Sequence, residues 1–232
     1  MKESENMKPF KNLRSTLRPM SHRERLEHIW TYYRTDFIIL MVFIILFACF
    51  LTARLTKKEI LLGGLYVNVQ LNEAGKDYTE TAFFNLESGN SKRQMIDNYT
   101  VGLTKIQDDS HLEENYYTLS AIAARVGAPQ IDYFLADQIA METFLTQGMY
   151  MDLREFFSEE ELLAYQDRLV FFATADENGV LTEEKYPVAI NISDTEFAHE
   201  CLQTSSEVFF SVAVNTRNIE RTKRFWDYLL AK

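Results

Sequence analysis

The residues able to do chemistry are few and scattered. The four histidines are His22, His28, His111 and His199, and the two cysteines are Cys49 and Cys201. His199 stands two residues before Cys201, a pairing that would suit a metal or an activated thiolate. On a helix, positions two apart point about 200° away from each other, so the pair does not converge. The acidic clusters Asp108-Asp109 and Glu159-Glu160-Glu161 are of the kind favoured at helix N-termini by the macrodipole. The stretch TADENGVLTEEK resembles a calcium loop only at first sight. With Gly179 as the turn glycine, the first ligand position is Thr174 and the twelfth is Lys185, where an EF-hand needs an acid at each end. A β-hairpin turn is expected there instead. Neither a phosphate-cradling glycine loop nor a nucleophile elbow is present. The residues point to no enzyme, no metal and no cofactor.

Charge narrows the partners. The chain of 232 residues carries 24 Lys+Arg and 34 Asp+Glu. Residues 1–36 hold eight of the basic and five of the acidic ones, a balance of +3. That leaves 16 basic and 29 acidic residues beyond, a balance of −13. An acidic body repels phosphates, so a nucleic-acid partner is excluded. A basic head before an apolar segment fits the positive-inside rule and makes the lipid bilayer the expected partner.

From Phe37 to Ala53 no residue is charged. As a helix this run is about 26 Å long, at the short end for a bilayer span. A cleaved signal peptide is not expected, because 36 residues precede the run and no small-x-small site follows. Leu46-Phe47-Ala48-Cys49 has the outline of a lipobox, but Phe47 departs from it and Phe50-Leu51 continue the apolar run. Cys49 is therefore read as a membrane cysteine. Ahead of the run, Ser21 and Glu24 form a capping box, and Leu26, Ile29, Trp30 and Tyr33 share one helical face. This predicts an interfacial amphipathic helix, with Trp30, Tyr32, Tyr33 and Arg34 at the membrane interface; a helix docking a cytoplasmic partner is the alternative. The expected organisation is a cytoplasmic basic head (1–36), one transmembrane helix (37–53) and an extracytoplasmic α/β domain (54–232), with the N-terminus in the cytoplasm of a cell membrane. An exported domain with no disulfide available suits a bacterium.

Along the body, strand and helix patterns alternate. Strands are expected at 59–71, 94–103, 131–135, 169–174, 186–193 and 208–214. Helices are expected at 79–88, 111–127, 138–147, 159–169, about 195–203 and 218–231. In the second of these, Leu112, Tyr116, Leu119, Ile122, Ala123 and Val126 form the apolar face. Asp137 caps the third, and Gly148 stops it. The predicted fold is α/β, a mixed sheet flanked by helices. Aromatic pairs such as Tyr116-Tyr117, Phe171-Phe172 and Phe209-Phe210 would suit a sugar or peptide cleft, but neighbours on a strand face opposite layers and most belong to the core.

Two segments carry a likeness. PQIDYFLADQIAMETFLTQGMYMDLREFF, with its Gly148-to-Leu153 turn, resembles the strand, helix and glycine–apolar–x–aspartate–leucine turn of the extracellular solute-binding proteins of bacterial ABC importers. VFFSVAVNTRNIERTKRFWDYLL is similar to their late strand, Asn-centred turn and helix. The span is Pro129 to Leu230. The turn is one residue longer than theirs, and the exported part is too short for two lobes. The resemblance implies a single solute-binding-like lobe whose cleft is edged by Ala136, Asp137, Asn191, Ser193 and Asp194. It implies a membrane-tethered binding or accessory protein that works with a transporter subunit. The rival is an envelope structural or assembly protein that holds a protein partner and no small solute.

Overall fold

The structure is a computed structural model and describes residues 21–103, 112–175 and 181–231. The chain divides after Lys57 into two units, Met1–Lys57 and Lys58–Lys232.

Among its described residues the first unit has one helix, α1 (His22–Thr56), of 35 residues. Its start is the capping box read from the sequence: Ser21 N donates to Glu24 Oε2 at 2.8 Å and Glu24 N donates to Ser21 Oγ at 3.4 Å. Arg34–Thr52, 19 residues, is long and apolar enough to cross a membrane. Within the apolar stretch Thr52 donates its hydroxyl to the Ala48 carbonyl at 2.8 Å, which satisfies it without water. α1 continues unbroken from His22 into the apolar stretch. No glycine or proline stands between Ser21 and Thr56 to break it. Trp30 is exposed, with the Arg34 guanidinium 5.8 Å from its ring centroid. The side chains of Tyr32 and Tyr33 lie outside the described residues.

The second unit is α/β. In chain order it has β1 (Glu59–Val67), β2 (Gln70–Leu71), α2 (Glu73–Lys76), a π-helical segment Asp77–Ala82, α3 (Phe83–Leu86), β3 (Gln94–Val101) and α4 (Leu112–Gly127). Then follow β4 (Tyr133–Ala136), α5 (Gln138–Thr146), α6 (Glu159–Ala164), a 3-10 turn Gln166–Arg168, β5 (Leu169–Ala175) and β6 (Leu181–Asn191). The unit closes with α7 (Glu196–Cys201), β7 (Leu202–Gln203), β8 (Phe209–Val212) and α8 (Ile219–Leu230). The main sheet has six strands in the order β3-β1-β4-β8-β6-β5. The pairs β3/β1 and β1/β4 are parallel, and the other three are antiparallel. β2 and β7 form a separate antiparallel pair. The sheet is thus mixed, as the alternation of patterns predicts.

Its two faces bury two clusters. One gathers Leu62, Tyr66, Tyr133, Phe210, Phe225 and Trp226, and the other Leu65, Ile122, Phe134, Phe144 and Phe209. Adjacent residues of β1, β4 and β8 go to opposite clusters, so these central strands are buried on both sides, and their unbroken apolar runs follow from that. β6 leaves β8 early. Only Ile190 and Asn191 pair with it. The segment Met149–Leu153 fills the gap: Met151 N donates to Val212 O at 2.9 Å, and Leu153 N donates to Pro187 O at 2.8 Å.

Several local expectations shift. The strand expected over 59–71 is broken at Asn68, whose φ is 59°. The helix expected to stop at Gly89 ends with Ser88 in the left-handed region, at φ 54°. Gly89 is needed for space instead, since a Cβ there would meet the Phe84 ring at 2.5 Å. On α4, Ile122 and Val126 are buried, while Ala123 and Tyr116 are exposed, Tyr116 at 68%. Fewer of these positions are buried than its periodicity predicts. The hairpin turn expected at 176–179 and His111 lie outside the described residues.

Candidate functional site

β1, β3, β4 and β6 all run the same way, so their C-terminal ends share one edge of the sheet. The chain goes from β1 outward to β3, then crosses over β1 to β4. The strand order therefore reverses between β1 and β4. In open α/β sheets, ligands bind at such a switch point, outside the carboxyl ends of the strands.

Asp137 stands there. Its backbone N donates to Val67 O at 3.2 Å. Its carboxylate caps α5, accepting from Ala140 N at 2.9 Å on Oδ1. Oδ2 accepts from Asn68 Nδ2 at 3.0 Å. Asn68 was not singled out by the sequence reading. Its amide clasps Leu103 at both ends, donating to the Leu103 carbonyl at 2.8 Å and accepting from the Leu103 N–H at 2.7 Å. One side chain thus ties the ends of β1, β3 and β4. The one sequence signal is an Asn closing an apolar strand, a residue type that tolerates the left-handed region.

The second predicted group lies two strands away on the same edge. Ala136 and Asn191 are both in register with Phe209, from opposite sides of β8. Two strand spacings separate them, about 10 Å. Asn191 Oδ1 accepts from the Ser193 N–H at 3.0 Å and the Ser193 hydroxyl at 2.6 Å. Ser193 Oγ in turn accepts from Val208 N at 2.8 Å. Asp194 pairs with Arg168 at 2.7 Å, and both are substantially exposed. The fold brings Ala136, Asp137, Asn191, Ser193 and Asp194 to one edge, but the acceptor oxygens of Asp137 and Asn191 already hold hydrogen bonds.

A buried polar chain, also missed in sequence, underlies this edge on the other face. The Tyr66 and Tyr133 hydroxyls are 2.9 Å apart. Tyr133 donates to Asn98 Oδ1 at 3.1 Å, and Asn98 Nδ2 donates to Thr79 Oγ1 at 2.9 Å. Thr79 passes the chain to the Gly75 carbonyl at 2.9 Å. Burial, above all other causes, pushes both phenols well above their ordinary range. They stay neutral and serve as structure rather than as acid or base. Gly64 makes room for them, since a Cβ there would lie 2.4 Å from the Tyr133 hydroxyl. His199 and Cys201 share α7, where Cys201 is buried and His199 exposed. Among the described residues no group of three His, Cys, Asp or Glu could hold a metal.

No family model, curated protein or solved structure matches the chain. The likeness to solute-binding proteins thus stands on the segments quoted for it.

Proposed function

We propose that the chain is a single-pass membrane protein that carries a solute-binding-like lobe outside the cytoplasm and acts as an accessory to a membrane transporter complex. The observation that carries this reading is the switch-point edge. Two loops picked out by the resemblance, at Asp137 and at Asn191–Asp194, flank the start of β8 on the side where α/β sheets bind ligands. The helix at Arg34–Thr52 supports the anchoring. The basic head and acidic body support a cytoplasmic N-terminus.

One observation favours the rival, an envelope assembly protein that holds a protein and no small solute. Asp137 and Asn191 spend their acceptors inside the fold, so a small polar ligand would have to displace existing hydrogen bonds.

Thermal unfolding of the detergent-solubilised chain with panels of sugars, amino acids and peptides separates the two. A ligand at a hundred times its dissociation constant adds about 2.7 kcal/mol. The receptor reading expects at least one such shift, lost in Asp137→Ala. A flat response across the panels favours the protein-partner reading.

A further inference from the structure

β1, β3 and β4 begin at the end of the sheet opposite the candidate site, and from α1 the chain reaches β1 through Lys57 and Lys58 alone. This end differs from the rest of its unit. Glu59 N donates to Arg93 O at 2.7 Å, which sets Lys92 and Arg93 beside the start of β1. Asn218 Nδ2 donates to the Asp132 carboxylate at 3.2 Å, and Arg221 Nη1 donates to Leu61 O at 2.8 Å. The turn bearing Arg217 and the start of α8 therefore lie at the same end. Lys58, Lys92, Arg93 and Arg217 are exposed there.

The charge count is lopsided. The unit from Lys58 onward holds 14 basic and 29 acidic residues. With Arg221 and Arg224 the β1–β3–β4 side of this end has six basic residues, against Glu59, Glu87, Asp132 and Glu220, a balance of +2. The remainder holds eight basic and 25 acidic, a balance of −17.

Apolar exposure coincides with it. Among the described residues of this unit, eight large apolar side chains are exposed. Four of them lie at this end: Leu86 closing α3, Met95 in the second position of β3, Val214 just past β8 and Ile219 opening α8.

We propose that this end is a membrane-docking surface, resting on anionic lipid headgroups. Exposed lysines and arginines meet lipid phosphates, and the four apolar side chains enter the headgroup layer, the combination that marks interfacial binding. The acidic remainder is repelled by the same surface, which leaves this end to face it. The start of β6, with Glu183, Glu184 and Lys185, lies at the same end of the sheet but three strand positions from β1, about 14 Å to the side. The inference rests on the single-pass reading.

The test uses the full chain in lipid nanodiscs, neutral phosphatidylcholine against the same lipid with phosphatidylglycerol. Amine acylation of each lysine is followed by mass spectrometry. Lys58 and Lys92 should react about fivefold more slowly in the anionic discs, the effect of one basic residue held at a charged surface. Salt at 1 M, which shortens the screening length to about 3 Å, should restore their rates. Lys76, exposed and away from this end, should not change. The double variant K92E/R93E should return Lys58 to its neutral-disc rate with Tm unaltered. Equal rates for Lys58 and Lys92 in the two discs overturn the docking surface alone. Slow labelling in both discs overturns it too, and points to a covering protein. A chain that does not enter discs overturns the anchoring reading and this inference together.

Discussion

Asn68 shows how much one residue can hold. It keeps a left-handed backbone at φ 59° and bonds both Leu103 and Asp137 through its side chain. A non-glycine residue in that region costs about 1–2 kcal/mol where nothing compensates. Two substitutions separate the backbone from the clasp. Asn68→Ala loses the bonds and keeps the strain, while Asn68→Gly loses the bonds and relieves it. Urea denaturation should show Asn68→Ala less stable than Asn68→Gly by about 1 kcal/mol. The reverse order would mean that the clasp is not what holds this conformation. Glu87 gives a pH-dependent counterpart. Its carboxylate is 9% exposed and accepts from Arg221 Nε at 3.0 Å and Arg224 Nε at 2.8 Å. The hydrogen bond from Arg224, ahead of the others, holds it below its ordinary carboxylate range. Its stabilisation is thus complete above the unfolded value, near pH 4.3, and lost as the pH falls through the lower folded value. Glu87→Gln should cost about 1–2 kcal/mol at pH 7, discounted because Arg224 is half-exposed. The gap to the unmodified chain should close below about pH 4. At this scale Asp137 and Ser21 were legible, because an N-cap is written in neighbouring residues. Asn68, Glu87 and the Tyr66–Tyr133 pair were not, since their partners lie 35 or more positions away.

At the scale of elements, the alternation of strand and helix could be read directly, and the parallel-to-antiparallel change could not. Periodicity names the elements; pairing depends on contacts far apart in sequence, such as Tyr133 with Val212. The same limit hid the early departure of β6 from β8. It also hid the π-helical segment Asp77–Ala82, which delivers Thr79 and Glu80 to Asn98. Close packing of β1 against the turn before β4 gives a prediction at this scale. A Cβ on Gly63 would lie 1.9 Å from the Gln130 carbonyl oxygen, which is backbone and has little room to move. Gly63→Ala should destabilise the unit by about 3 kcal/mol, seen as a lowered urea midpoint with an unchanged slope. Gly127→Ala, with nothing within 4 Å of the added atom, is the control and should leave the midpoint near that of the unmodified chain.

For the whole molecule, the account joins one helix able to cross a membrane to an α/β unit with two distinct ends. The helix able to cross a membrane was the most legible part of the chain, because a run without charge needs no tertiary information. The task of the α/β unit was the least legible, because its edge residues are common types whose meaning depends on the fold. A protease added to intact spheroplasts should remove the unit beyond Lys58 and leave the residues before Phe37 detectable by an N-terminal epitope; loss of the epitope instead would invert the orientation. The most direct measurement of the central claim is purification of the full-length chain from its own membranes in mild detergent, with partners identified by mass spectrometry. The account predicts a transporter subunit in stoichiometric amount. Recovery of the chain alone, or with envelope-assembly proteins in its place, would contradict it.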